Sequence, residues 1–78
     1  DLVPLVAPDL GVAGAALSLW LVPEGAEVIE GDRVVELVAG GVTVDLGAPV
    51  SGRLVAQRID EDEAITAGQV LAEFEAAP

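Results

Sequence analysis

The reactive side chains of this protein are few, and their types exclude more chemistry than they allow. Ser18, Thr43, Ser51 and Thr66 are the only hydroxyls, and the chain contains no histidine, lysine, cysteine or tyrosine. A serine or threonine nucleophile needs a neighbouring base to take its proton, and the usual bases are missing. Thiolate and imidazole metal ligands are missing with them. That leaves the 14 carboxylates. Glu36 and Asp45 would be set face to face by a hairpin, and Asp60-Glu61-Asp62-Glu63 forms an acidic run. A close carboxylate pair can share a proton, but without a cleft around it the pair reads as solvated strand residues. An acidic run can offer oxygens to a hard cation, but this one lacks the alternating spacing and the glycine of a calcium loop. It reads as a solvated turn. No catalytic residue and no metal ligand is assigned.

The segments that would place Glu36 opposite Asp45 are Val34–Ala39 and Val42–Leu46, joined by Gly40-Gly41. A two-residue type I′ turn requires φ > 0 at both positions, which glycine adopts without a Cβ clash. The implied register puts Ala39 opposite Val42, Leu37 opposite Val44 and Val35 opposite Leu46. The alternate face holds Glu36 opposite Asp45 and Val38 opposite Thr43. One face is apolar and the other mostly polar, with Val38 on the wetter side near the tip. The directly opposed like charges cost a few tenths of a kcal/mol when both are ionised.

At 78 residues the chain is expected to be a single domain, residues 1–78. Such a domain buries roughly 60% of its unfolded surface, and no disulfide assists it, because there is no cysteine. The core must hold the fold. With 53% hydrophobic residues, much of it alanine and valine, and only Trp20 and Phe74 as aromatics, a thin core is expected, with Trp20 in it. The longest uncharged run, Leu10–Pro23, is 14 residues, short of the ~20 that a membrane helix needs. No basic segment precedes an apolar stretch, so no signal peptide is read and a cytoplasmic location is expected. The net charge of −11, against only Arg33, Arg53 and Arg58, repels nucleic acid and anionic lipid. It suits an isolated monomer and docking onto basic partner surfaces. The Ala-Ala-Pro ending is expected to begin a linker at 76–78, as in a fragment of a longer protein.

No segment sustains a helical period. Short strands are expected at Leu2–Val6 (an edge strand, given Pro4), Leu17–Val22, Val34–Ala39, Val42–Leu46, Arg53–Ile59 and Val70–Glu75, with Val28–Asp32 a short segment that ends in the turn Glu30-Gly31-Asp32 and turn signals between the others. An internal repeat emerges at a shift of 37 residues: Leu17 falls on Leu54, Val22 on Ile59, Glu24 on Glu61, Val28 on Ile65, Gly31 on Gly68, Val34 on Leu71, Glu36 on Glu73 and Leu37 on Phe74. Neither half can bury an apolar face alone, so two sheets related by a pseudo-twofold axis are expected. The chain ends should lie opposite the Gly40-Gly41 turn. The expected core is Leu19, Leu21, Val22, Val28, Val35, Leu37, Val44, Leu46, Leu54, Ile59, Ile65, Leu71 and Phe74.

These motifs resemble those of the lipoyl domain, the swinging-arm carrier of 2-oxoacid dehydrogenase acyltransferases, and of the biotinyl domain that shares its fold. Pro8-Asp9-Leu10-Gly11, Trp20-Leu21-Val22, Val34-Val35-Glu36-Leu37, Pro49-Val50-Ser51-Gly52 and Gly68-Gln69-Val70-Leu71 carry the likeness. The resemblance implies an all-β flattened barrel, a barrel-sandwich hybrid of two four-stranded antiparallel sheets. It also implies a lysine at the hairpin tip that carries lipoate in an amide bond. Here the tip reads Val38-Ala39-Gly40-Gly41-Val42, with Gly41 at the lysine position. Amide attachment needs a primary amine, which no side chain of this protein supplies. The expectation is therefore a non-catalytic, lipoyl-like domain of a dihydrolipoyl acyltransferase-type component. It would carry no cofactor, and Val38, Ala39, Gly40, Gly41 and Val42 would be available for docking to other components of a dehydrogenase complex. The alternative is a biotinyl-like module of a carboxylase relative, or the hybrid domain of a membrane-fusion adaptor. The tight Gly40-Gly41 junction counts against the adaptor, which would interrupt the halves with a helical hairpin.

Overall fold

The glycine pair uses the backbone freedom that only glycine has: Gly40 lies at φ +59° and Gly41 at φ +79° in the computed structural model, which describes residues 1–78. The turn closes strands β4 (Arg33–Ala39) and β5 (Val42–Gly47) in the expected register: Ala39 pairs Val42, Val38 Thr43, Leu37 Val44, Glu36 Asp45 and Val35 Leu46. The other strands are β1 (Leu2–Val6), β2 (Ala16–Trp20), β3 (Glu27–Val28), β6 (Gly52–Gln57) and β7 (Val70–Ala76). There is no helix, and so none long and apolar enough to cross a membrane.

Two antiparallel sheets form, in the orders β1-β7-β6-β3 and β2-β4-β5. The second has three strands where four were expected. Its fourth member is reduced to the single bridge Ala16–Ala64, because the Asp60–Glu63 and Thr66–Gln69 turns leave only Ala64 and Ile65 between them. β3 is only two residues long, and the Glu30-Gly31-Asp32 turn expected after Val28 forms. The Asp32 amide donates to Ile29 O (2.9 Å), and Asp32 Oδ2 accepts from the Ile29 amide (3.0 Å), so this segment is a turn. At the other end β7 runs through Ala76, and the Ala77 amide donates to Ser51 O (2.8 Å). The expected linker onset at 76 thus falls inside a strand.

The 37-residue repeat is reproduced bond by bond. Gly25 N–H donates to Leu54 O, and Asp62 N–H to Leu17 O; Leu21 N–H donates to Val34 O, and Arg58 N–H to Leu71 O. Trp20 Nε1 donates to Ile59 O (3.0 Å), while Gln57 Nε2 donates to Val22 O (2.9 Å). Glu61 accepts from the Trp20 amide as Glu24 accepts from the Gln57 amide. Each partner in one half lies 37 residues from its counterpart in the other. Side-chain type differs at Trp20 and Gln57, yet both supply an N–H that satisfies the opposite half's carbonyl. Trp20 is accordingly half-buried at the rim, packed against the core rather than inside it.

The same symmetry repeats the β-bulges, and the bulges correct the expected core. β2 shifts register between Leu17 and Leu19, and β6 between Leu54 and Ala56. The extra residue flips the alternation. Leu17 is fully buried, whereas Leu19 and Leu21, expected inside, are 38% and 42% exposed. β4 and β7 bulge at Val34 and Leu71, so Val34-Val35 and Leu71-Ala72 are consecutive buried pairs. Val22, Val44 and Leu46 are half-buried, whereas Val28, Val35, Leu37, Leu54, Ile59, Ile65, Leu71 and Phe74 are buried as expected. The core lies between the sheets and includes Leu5, Leu54, Leu71 and Phe74 from one, and Leu17, Val34 and Leu37 from the other.

The repeat also exposes a local strain. Gly25 sits at φ +89°, and its counterpart is Asp62, the only non-glycine residue with positive φ (70°). Replacing Asp62 by glycine removes the Cβ penalty of the left-handed region, partly offset by glycine's extra unfolded-state entropy. A net stabilisation of about 0.5 kcal/mol is expected, seen as a rise of roughly 2–4 °C in melting temperature. A fall in melting temperature would contradict the equivalence of the two turns.

Candidate functional site: the hairpin tip

The tip is built by the Gly40-Gly41 turn and by a second loop that folds beside it. A Cβ placed on Gly40 would lie 3.9 Å from both Val12 methyl groups, so the loop between β1 and β2 reaches the hairpin end. Val12 is 52% exposed and Val42 62% exposed, and Gly40 and Gly41 are open to solvent. The segments Leu10–Ala16 and Leu37–Val44 contain no charged residue. On a chain of net charge −11 this end is a neutral, apolar cap. Of the five expected tip residues, Gly40, Gly41 and Val42 are exposed, Val38 is half-buried, and Ala39 is buried at 8% exposure but lies outside the core cluster. The sequence reading missed Val12, which is far from the hairpin along the chain. Its one signal was an apolar residue within an uncharged, glycine-bearing loop.

The carboxylates form no reaction centre. Glu36 and Asp45 are opposed as expected, but Arg33 Nη1 lies 3.3 Å from Asp45 Oδ2, and the pair stands on the open face of the sheet. Arg53 pairs with Glu75 (3.2 Å) and Arg58 with Glu73. All three arginines are thus engaged at the surface, where such pairs contribute little to stability. In the acidic run, Glu61 accepts the Trp20 amide and Glu63 the Asp60 amide, so these carboxylates cap local backbone. The shallow cleft beside them, lined by Trp20, Val22, Gln57, Asp60 and Glu61, contains no hydroxyl, thiol or amine. No three acidic side chains converge in a metal-ligating group.

The profile of a family described as "Biotin-requiring enzyme", the biotin/lipoyl attachment domain, matches residues 3–74. The chain belongs to this family. Among solved structures, it is similar to part of a single-chain, multi-domain long-chain acyl-CoA carboxylase, at 26% identity and a TM-score of 0.83. The match covers 97% of this chain and 7% of that protein. No curated protein sequence matches significantly.

Biotin/lipoyl attachment domains are carriers and are not catalytic by themselves. The tip is where the resemblance places the attachment lysine, and in this member it is Gly41. A Cβ added at Gly41 meets no atom within 4 Å, although any residue but glycine is strained there at φ +79°. What is missing is the amine itself. The residues present do not fit a covalently held biotin or lipoate, because no side chain in the chain can form the amide.

Proposed function

We propose that this chain is a biotinyl-type domain of a carboxylase-like multidomain enzyme that carries no prosthetic group and serves as an assembly or docking module through its neutral tip. The observation that carries the reading is the exposed Gly40-Gly41 turn, which keeps the hairpin but presents no amine. The similarity to the acyl-CoA carboxylase structure supports a carboxylase setting. Pro8-Asp9-Leu10-Gly11 supports a second reading, a lipoyl-like domain of an acyltransferase in a dehydrogenase complex. In either setting the partners are neighbouring components of the multienzyme assembly.

The test is intact mass after incubation with ATP and either biotin with biotin ligase or lipoate with lipoate ligase. The native chain is expected to gain nothing with either enzyme. Gly41→Lys is expected to fold, at a cost of about 1 kcal/mol for a non-glycine residue in the left-handed region, and to gain one biotinyl group. Lipoylation without biotinylation of the variant favours the acyltransferase reading. A mass gain by the native chain overturns the proposal.

A further inference from the structure

Three of the four sheet edges are blunted, and the fourth is not. At one edge of the larger sheet β1 carries Pro4, which cannot donate to an added strand. At the other, β3 is only two residues long. In the smaller sheet the free side of β2 is covered: Leu17 N–H donates to Glu63 O, Ile65 N–H to Ala15 O, and Ala16 bridges Ala64. That leaves β5. Its sole strand neighbour is β4, and from Val42 to Leu46 it has no proline, no lysine and no bulge of its own. A strand of this kind is a template for another strand. Its far end is closed by the 29–32 turn, where Gly31 O would lie 3.0 Å from a Cβ on Gly47.

The hairpin geometry says which groups are free. In a two-residue hairpin the pair flanking the turn is hydrogen-bonded, and pairing alternates from there. Ala39–Val42, Leu37–Val44 and Val35–Leu46 therefore face each other, and the N–H and C=O of Thr43 and Asp45 point outward. Both residues are exposed. The charges beside this edge are Glu36 and Asp45 on the sheet face and Glu30 and Asp32 at the Gly47 end, against Arg33 alone. A second copy of the chain is disfavoured as the occupant. Twofold pairing of β5 with itself would set Asp45 of one copy opposite Thr43 or Asp45 of the other, on two chains that each carry a net charge of −11. The complementary cations must come from another protein, because this chain has no lysine and its three arginines are already paired.

We infer that β5 is a strand-addition site for an extended, β-branched segment of a partner protein bearing lysine or arginine, held by main-chain hydrogen bonds to Thr43 and Asp45. The site begins at the tip and runs away from it along β5, and it does not depend on whether a prosthetic group is attached.

The test is amide hydrogen exchange on the isotope-labelled chain, with a capped nonapeptide of alternating valine and lysine as the probe. Exchange at Thr43 and Asp45 is expected to slow at least about tenfold on saturation, with the binding weakened by salt. The same peptide N-methylated at alternate residues is expected to give no protection, because one edge then lacks donors. A valine–glutamate peptide is expected to give none either. Thr43→Pro is expected to abolish the effect, and the N-methylated arm decides the matter if that variant does not fold. Responses confined to Asp60–Glu63 would mean simple charge attraction and overturn the proposal. Equal binding of the N-methylated peptide would do the same. Protection that grows with the concentration of the chain alone would make a second copy the occupant, and the inference would fail.

Discussion

Phe74→Ala is expected to lose about 3–5 kcal/mol of folding stability, the range for removing a buried aromatic side chain. Phe74 is the largest fully buried residue, and it lies in β7 between Val3 on β1 and Leu54 on β6. A chain of this size holds roughly 4–12 kcal/mol in total, so the variant should be substantially unfolded near body temperature. The internal repeat supplies a built-in control. The counterpart of Phe74 is Leu37, also fully buried, so one half of the sandwich already closes around a leucine. Phe74→Leu should therefore cost only about 1 kcal/mol, with the strand pairing intact. Urea unfolding of the two variants checks this. Equal losses would mean that Phe74 acts through something other than the volume it fills.

Gly52→Ala is expected to cost roughly 3 kcal/mol, the upper end for overpacking a core, and to lower the melting temperature by about 12–24 °C. A Cβ on Gly52 would stand 2.0 Å from Glu75 O and 2.9 Å from Ala77 N, both main-chain atoms that cannot rotate away. β6 cannot retreat either. Gly52 is paired with Val28 on one side and Ala76 on the other, and Leu54 two residues on is fully buried. The strand end must give, with loss of the Ala77–Ser51 hydrogen bond. The counterpart of Gly52 is Ala15, which lies one residue before β2 begins at Ala16 and accepts the Ile65 N–H, so the two halves differ at this position. If Gly52→Ala melts within 2 °C of the native chain, the close approach of β6 and β7 is wrong.

Where the determinants were local, the sequence could be read correctly. The β4–β5 register followed from two glycines and five residues of alternation on either side, because a type I′ turn leaves no freedom in the pairing that follows. The repeat was legible for a related reason. Residues that satisfy equivalent backbone groups recur at constant spacing, and the Asp32–Ile29 and Gln69–Thr66 side-chain contacts are such a pair. The bulges were not legible. Leu19 and Leu21 sit in an apolar run that looks like core, and nothing beside Ser18 announces that the strand will slip there. The buried Ala7, Ala48 and Ala72 were also missed. Alanine is compatible with any position, and only the closeness of the two sheets makes its small size a requirement.

The amino-acid sequence alone determined the strand count to within the shortest elements, the hairpin, the twofold repeat and the absence of any amine at the tip. Each is a matter of residue type or spacing along the chain, which folding cannot change. Tertiary structure decided which face of β2 and β6 is buried, that Val12 joins the tip, that Asp62 bears the strain its counterpart Gly25 avoids, and that β5 alone remains an open edge. Those properties depend on where one half of the sandwich meets the other. A one-residue bulge moves every side chain beyond it to the opposite face, and the strands that cover an edge come from distant parts of the chain.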